Sequence, residues 1–448
     1  MSKVLYCGDL HLAGLSDIGF SAHDRFIEAE YHSSMVDFTN ISKHVTESST
    51  EQESRKPLNI SYICSGGEEV TYSLFFLNGH EHKYFLQAVS RHLVKQLQAI
   101  SFDDLFDEMI KKKSYSNTPQ DLDHEAWIKF PSHALDTVSR RDSREMKQIV
   151  CHNKNRVLFE MMDGKLYFYN MILKQMYPFA IPDRGSITCI GSGTMSPFIL
   201  VNTVNDQDNI LTFNTDRIDL GATEGKNKIA FPNKPAEIKF MKCYCRQLFI
   251  FVLKNNYMYA FKGAGCTSIY GFENIPQEVV SRVVTGFENE GNIIGIDTGF
   301  AHVAVLLDNG AVYTMGLNNF GQLSQPVLRD EDTVMSFVKI ALKVPSLAVC
   351  CGSTCTCVLT TSDIIFFGEV KNEFILTDPV DQEYKSFTRF WVHKKQYSDQ
   401  DVSLGPWHGF IYRNSFHVKK FNTHFIHKLG EKVNNEKLSD IVLGTIND

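Results

Sequence analysis

The chain has 448 residues, of which 43% are hydrophobic and 22% are charged, so it is neither a disordered nor a collagen-like sequence. Its 52 acidic side chains outnumber its 45 basic ones, and the net charge of -7 argues against a broadly basic nucleic-acid-binding surface. No apolar run of roughly 18 residues occurs, so we expect no membrane span. Cys7-Gly8-Asp9 interrupts the N-terminal apolar stretch, so we also expect no signal peptide and eleven free cysteines.

Short pairs of apolar segments recur along the chain, and a turn residue separates the two segments of each pair. The turn residues are Gly79, Gly164, Asn209, Asn256, Gly310, Asp363 and Asn414. Gly, Asn and Asp tolerate a positive φ in a hairpin, and five of the six spacings lie between 45 and 54 residues. Regular hairpins with β-branched and aromatic flanks predict an all-β, seven-bladed β-propeller over residues 1–420.

The N-terminal segment is an isolated half of this repeated unit. Residues 4–8 match residues 312–316 in residue type and order. We therefore expect the first strand to complete the blade that begins near residues 402–412 and so to close the ring. Residues 416–418 are the alternative closing strand.

The long first spacing indicates a helical and loop insertion in the first blade region, residues 88–147. Phe85, Val89, Leu93 and Leu97 recur at helical spacing, and Ser101 with Asp104 is typical of a helix N-cap. The insertion either decorates one propeller face or binds a partner. The candidate partner-binding residues are Lys111, Lys112, Lys113, Trp127, Arg140 and Arg141.

The clearest unit, residues 293–324, combines two turn motifs that are Gly299-Phe-Ala-His302 and Gly316-Leu-Asn318-Asn-Phe-Gly321-Gln322-Leu323. Partial copies contain Gly8, Gly352, Gly368, Gly405, Trp407 and His408. This pattern resembles the repeat of the regulator of chromosome condensation (RCC1-like) family, whose fold is a seven-bladed propeller. The resemblance is degenerate, because the Gly-x-x-His turn is missing near Gly79, Gly164, Asn209 and Asn256. The repeat positions are Gly8, Gly299, His302, Gly310, Gly316, Asn318, Gly321, Gln322, Leu323, Gly352, Gly368, Gly405, Trp407 and His408, and we interpret them as structural.

The resemblance suggests several functions but does not select one of them. The founding member of the family exchanges nucleotide on the small GTPase Ran and binds chromatin, whereas many relatives are protein-binding platforms or ubiquitin-ligase scaffolds. We therefore expect a non-enzymatic interaction scaffold or regulatory propeller, in a signalling or ubiquitin-adaptor context. The alternative is a guanine nucleotide exchange factor for a Ran-like GTPase. We expect a protein partner rather than nucleic acid, no cofactor, and a cytoplasmic location with the nucleus as the alternative.

The last segment, residues 421–448, is expected to be a short helical tail. Its Asn434-Asn435-Glu436-Lys437-Leu438 turn, followed by Ser439-Asp440, resembles the opening of a BTB domain. A chance match, a remnant and a shortened sequence remain open explanations.

Two short motifs resemble those of calcineurin-type metallophosphoesterases, namely Gly8-Asp9-Leu10-His11 and Gly79-His80-Glu81-His82. Residues 12–78 contain none of that family's intermediate metal-binding segments, so this enzyme class is a remote alternative. A second candidate metal site is the cysteine group at residues 350–357. These cysteines lie in predicted strands, where buried packing explains them better than zinc binding does. We therefore assign no catalytic and no metal residues.

Overall fold

We analysed a computed structural model of the full chain. The structure describes residues 4–8, 23–29, 35–37, 57–66, 71–77, 84–89, 97–115, 146–150, 156–161, 165–179, 186–193, 198–203, 206–213, 226–230, 238–244, 248–263, 270–326, 333–369, 390–405 and 408–414. These residues form 29 strands and one α-helix. In the described part of the chain, no helix is long and apolar enough to cross a lipid bilayer.

The strands are short and follow one another closely. In chain order, the first are β1 (Val4–Gly8), β2 (His23–Ala29), β3 (Val36–Asp37), β4 (Ile60–Gly66), β5 (Tyr72–Leu77), β6 (Tyr84–Val89) and β7 (Leu97–Ser101), and helix α1 (Phe102–Tyr115) follows them. The next are β8 (Met146–Val150), β9 (Arg156–Met161), β10 (Leu166–Asn170), β11 (Gln175–Phe179), β12 (Ser186–Gly193), β13 (Phe198–Thr203), β14 (Asp206–Phe213) and β15 (Lys226–Ala230). Then come β16 (Ile238–Tyr244), β17 (Leu248–Leu253), β18 (Met258–Lys262), β19 (Val280–Val283), β20 (Ile293–Thr298), β21 (His302–Leu307), β22 (Val312–Leu317) and β23 (Thr333–Lys339). The last are β24 (Ser346–Cys351), β25 (Thr354–Thr360), β26 (Asp363–Glu369), β27 (Phe390–Lys394), β28 (Gln400–Leu404) and β29 (His408–Arg413).

The strands form antiparallel meanders arranged as a β-propeller. The sheets have the orders β2-β1-β29-β28, β3-β7-β6-β5-β4, β11-β10-β9-β8, β15-β14-β13-β12-β16-β17-β18-β19, β20-β21-β22-β23 and β24-β25-β26-β27. The innermost strands contact one another in sequence around the ring, from β12 through β16, β20, β24 and β28 to β4. The all-β propeller prediction is therefore confirmed.

The predicted count of seven blades is wrong for this structure, because its described strands form six sheets. The difference arises in the eight-stranded sheet, which consists of two four-stranded meanders, β12–β15 and β16–β19. Their innermost strands pair in parallel through Ser192 with Lys242 and Gly193 with Cys243. Hydrogen bonds between two inner strands thus merge what the turn spacing predicts as separate blades.

The first and last strands close the ring, as the N-terminal half-unit predicts. Strand β1 lies between β2 and β29, and Leu5 pairs with Ile411 in the ladder between β1 and β29. Tyr6 is fully buried, and its ring lies 4.7 Å from that of Phe410. The alternative closing strand, residues 416–418, lies outside the described residues.

The insertion contains less helix than its apolar spacing predicts. Phe85 and Val89 lie on strand β6 and Leu97 lies on β7, so the predicted helix over these residues is wrong. Both faces of β6 are buried, so apolar residues occur at every spacing and helical periodicity carries no information there. The helix predicted to begin at Ser101 does form, and it is α1. Ser101 caps it, because Ser101 Oγ accepts a hydrogen bond from the Asp104 N–H (3.1 Å).

Helix α1 packs between two neighbouring sheets. It contacts β6 and β7 on one side and β11 on the other. Phe102 and Phe106 are buried, and the Phe106 ring lies 5.0 Å from that of Tyr167 on β10. The described part of the insertion is therefore built into the core, and both predicted roles of the insertion, decoration of one face and partner binding, stay predictions. The proposed domain boundaries at residues 88, 147 and 420 stay predictions.

Two of the predicted turn residues, Asn256 and Gly310, form tight hairpin turns in the structure. Asn256 and Gly310 have positive φ values of 67° and 82° in tight hairpins. Asn209 lies inside strand β14, so the predicted turn there is wrong. Gly79 and Gly164 lie outside the described residues.

Candidate functional site

The motif residues converge on the turns that connect innermost strands to second strands. We call these the hub turns, and they are Gly299–His302, Gly352–Cys355 and Gly405–His408. In the first, the Gly299 N–H donates a hydrogen bond to the His302 carbonyl (2.8 Å). A Cβ on Gly299 would lie 2.0 Å from His302 Cε1 and 2.7 Å from the Gly352 carbonyl oxygen. Glycine is required because the imidazole ring and the next hub turn both press against its Cα.

The other two hub turns repeat this geometry. The Gly352 N–H donates to the Cys355 carbonyl and the Gly405 N–H donates to the His408 carbonyl, both at 2.9 Å. A Cβ on Gly352 would lie 2.7 Å from Cys355 Sγ and 3.4 Å from the Gly405 carbonyl oxygen. The three hub turns therefore pack against one another in order, from one sheet to the next. Cys355 occupies the position that histidine has in the other two.

The histidines of the hub turns are fully buried and uncharged at neutral pH. Burial lowers the pKa of His302 to about 4, against a smaller opposing effect of the Asp297 carboxylate. Burial likewise lowers the pKa of His408 to about 3. His408 Nε2 lies 3.0 Å from Ser73 Oγ on strand β5, which belongs to the neighbouring sheet. The His408 contact joins two sheets, in keeping with the structural interpretation of this histidine.

The second motif forms a compact loop between β22 and β23. Asn318 Oδ1 accepts a hydrogen bond from the Leu323 N–H (3.0 Å), and Gln322 Oε1 accepts one from the Phe320 N–H (2.9 Å). Gly321 has a φ of 79°. A Cβ on Gly368 of the next sheet would lie 3.0 Å from the Gln322 Cα. The loop therefore also serves as a contact between sheets.

A buried ion pair connects three of the innermost strands. Lys242 Nζ on β16 lies 2.8 Å from Asp297 Oδ1 on β20. The other carboxylate oxygen of Asp297 accepts a hydrogen bond from the Cys351 N–H on β24 (2.8 Å). Lys242 is buried and the Asp297 side chain is 15% exposed, so removing either one would take the ion-pair partner away from a charge that water reaches poorly.

The cysteine group at residues 350–357 is a packed cluster. Cys355 and Cys357 are buried, and Cys350 lies directly opposite Cys357 in the ladder between β24 and β25. Burial raises the pKa of Cys355 to about 12, which keeps it a protonated, unreactive thiol at neutral pH. Among the described residues, no three His, Cys, Asp or Glu side chains are placed to hold a metal ion.

The structure describes only part of the set of candidate partner-binding residues in the insertion. Lys111 is exposed on α1, and Lys112 and Lys113 continue the same helix. The exposed residues of the preceding turns are acidic, namely Asp103, Asp107 and Glu108. The remaining predicted positions lie outside the described residues, and they are Trp127, Arg140, Arg141 and the repeat residue Trp407. The phosphoesterase-like residues Asp9, His11, His80 and His82 also lie outside them.

Sequence reasoning missed the exposed side chains that suit partner binding. Phe300, at the tip of the first hub turn, is 50% exposed, and Val284, just after β19, is 82% exposed. Tyr257 is exposed beside Val284, and Arg282 covers its ring at 3.9 Å. The signal in the sequence was that Val284 follows Val283. Neighbouring residues of a strand point to opposite faces, so these two apolar side chains do not share one face.

Replacing Gly299 with alanine should destabilise the protein by about 3 kcal/mol or more, because the new Cβ overlaps the His302 ring and the Gly352 carbonyl. Gly295→Ala in β20, the strand before this turn, is the matched control, since its Cβ would lie 3.5 Å from Leu306, at ordinary contact distance. Urea denaturation of both variants measures the difference. Equal stability of the two variants would contradict the hub-turn packing.

Acidification should destabilise the fold through His302 and His408. In the folded protein the pKa of His302 is about 4 and that of His408 is about 3, whereas the pKa of an unfolded histidine is about 6.5. Between the folded and the unfolded pKa, the unfolded chain therefore binds more protons than the folded protein. Below pH 6.5 the free energy of unfolding should fall by up to about 1.4 kcal/mol per pH unit for each histidine. Above about pH 7 the two histidines should cause no change in the free energy of unfolding. Urea midpoints measured from pH 7.5 to 5 test this expectation. An unchanged slope in His302→Gln and His408→Gln variants would refute it.

The comparisons with known proteins agree with this geometry. The regulator of chromosome condensation (RCC1) repeat matches residues 293–322, which span the first hub turn and the loop that follows β22. The match does not reach the tail, so the resemblance of residues 421–448 to a BTB domain has no support. No curated protein matches the chain significantly.

Solved structures match nearly the whole chain. Prp20p from Saccharomyces cerevisiae, reported with its binding to Gsp1p and histones, is 11% identical with a TM-score of 0.57, and the match covers 96% of this chain and 94% of that one. Yeast RCC1 (Prp20) bound to Kap60 gives the same identity and TM-score, with 96% and 92% covered. Human WBSCR16 is 12% identical with a TM-score of 0.54, with 93% and 100% covered. At such identities the likeness shows the fold alone, so the chain is a β-propeller similar to these structures, and residues 293–322 match one RCC1 repeat.

Proposed function

We propose that the chain is a non-enzymatic propeller that regulates or scaffolds other proteins by binding them. The observation that carries the proposal is that an RCC1-like propeller accounts for nearly the entire chain. The motif residues of the hub turns are used in packing between sheets. Binding is therefore assigned to the side chains that this rigid framework holds outward.

Phe300 is the first of these side chains. Its backbone N–H donates a hydrogen bond to the Ser353 carbonyl of the neighbouring hub turn (3.0 Å). This bond and the Gly299 packing fix the turn, so the half-exposed ring is held in place before any partner arrives. A preorganised exposed aromatic ring costs little conformational entropy on binding and is typical of an interface hot spot.

The proposed partner is a protein. The similar propeller Prp20p is reported with Gsp1p and histones, and yeast RCC1 is bound by Kap60. The net charge of -7 favours a protein partner over nucleic acid. A signalling or ubiquitin-adaptor role in the cytoplasm, with the nucleus as alternative, is part of the proposal.

Proximity labelling with the full chain tests the binding role. Phe300→Ala should remove one or more proteins from the labelled set, because the hub turn then presents no aromatic ring. Leu173→Ala is the matched control, since Leu173 is 47% exposed and lies in the β10–β11 turn. Identical labelled sets for wild type and Phe300→Ala would exclude Phe300 as a binding residue, and an empty wild-type set would overturn the proposed function.

The second candidate function is nucleotide exchange on a Ran-like GTPase. It is supported by the likeness to Prp20p, whose structure is reported with its binding to Gsp1p. Ran and several related GTPases would be loaded with fluorescent GDP and mixed with the purified chain at equal concentration. Under the scaffold proposal, release of GDP should not accelerate. Acceleration with any member of the panel would favour the exchange factor instead.

A further inference from the structure

Strand β19 is the last strand of the eight-stranded sheet. It pairs with β18 in an uninterrupted register, from Phe261 with Val280 to Met258 with Val283. No strand of the described chain pairs with its other edge. A strand edge of this kind offers backbone hydrogen-bonding groups to an added strand.

Proteins usually protect such edges with lysine, proline or an irregular register. Two other outer strands show these devices. Strand β23 has an irregular register against β22 and carries Lys339, and β27 ends at Lys394, which Lys395 follows. Strand β19 is only four residues long and carries the charged Arg282, but it has no lysine, proline or register shift, and the valines that flank it, Val279 and Val284, are 52% and 82% exposed. We call β19 with these two valines the docking edge.

The docking edge carries a positive charge that no carboxylate of the described residues pairs with. Arg282 is exposed and lies 3.9 Å over the ring of Tyr257, and no carboxylate of the described chain forms an ion pair with it. Arg413 is the contrasting case, because it stacks on Tyr397 but also binds Asp399 at 2.9 Å. Stacking leaves the N–H groups at the rim of the guanidinium plane available, and these suit a carboxylate.

The register places this charge beside the exposed apolar side chains. Met258 and Val283 form the last pair of the ladder, and Tyr257 and Val284 follow directly beyond it. Arg282 and Val284 are two residues apart and therefore lie on the same face. A strand added beside β19 would meet both of them with side chains that are likewise two residues apart.

We propose that the docking edge binds an extended acidic segment of a partner protein as an added β-strand. In that segment, an apolar side chain packs on Val284 and Tyr257, and a carboxylate two residues away binds Arg282. This mode combines backbone hydrogen bonds for affinity with alternate side chains for specificity. The inference rests on the proposed function of the chain as a protein-binding propeller and names the surface and the chemistry of one partner.

Fluorescence anisotropy with the full chain and two synthetic peptides of about ten residues tests the proposal. One peptide repeats Val-Ser-Glu-Ser, and in the other lysine replaces each glutamate. The acidic peptide should bind at least tenfold more tightly than the basic one. Arg282→Glu should abolish or reverse this preference, and Val284→Ser should weaken the acidic peptide about tenfold.

Two exposed positions elsewhere supply matched controls. Met335→Ser removes an exposed apolar side chain on β23, where Met335 is 51% exposed, and Lys343→Glu changes charge at another exposed site. Both should leave peptide affinity unchanged. Equal affinity for the two peptides, or equal losses in Val284→Ser and Met335→Ser, would overturn the docking edge.

Proximity labelling separates this inference from the proposed function. If Arg282→Glu removes labelled proteins that Lys343→Glu retains, the docking edge is supported. If wild type labels partners and Arg282→Glu labels the same set, the docking edge is overturned while the protein-binding role stands. If wild type labels no partner, the proposed function itself fails.

Discussion

The pairing of the first strand with the last is the constraint on which the rest of the structure depends. Strand β1 completes a sheet with β28 and β29, and this sheet packs on β4. A ring of sheets can bury both faces of every sheet only when it is closed, because an open ring leaves two apolar faces in water. Tyr6 and Phe410 are buried at that closure. The pairing of β1 with β29 in one sheet therefore stabilises all the sheets between them.

Polar contacts between neighbouring sheets add direction to this apolar packing. The Asp297 carboxylate links Lys242 to the backbone of Cys351, and His408 reaches Ser73 across the closure. These groups are buried and depend on one another, so they fix how each sheet meets the next. The glycines of the hub turns make that approach possible, since a Cβ at Gly299 or Gly405 would overlap a histidine ring. The residues most typical of the repeat are thus committed to the framework.

That commitment separates the framework from the surfaces proposed to bind partners. Phe300 belongs to a motif turn, but its side chain points outward while its backbone is fixed by Ser353. The docking edge lies instead on β19, the outermost strand of the eight-stranded sheet, and no repeat motif marks this strand. Residues of this kind can change without loss of the fold, which is how one propeller architecture serves many partners.

The sequence by itself determined the all-β class, the repeated hairpins and the closing strand, because turn glycines and alternating apolar residues act locally. It also identified Gly299 and His302, since a tight turn allows few residue types. It misplaced a helix at residues 85–97, because a strand buried on both faces loses its alternation. Only the tertiary structure decided that two meanders join into one sheet and that Lys242 meets Asp297. It alone also showed that Arg282 and Val284 stand exposed on an open edge, because burial depends on neighbours far away in the chain.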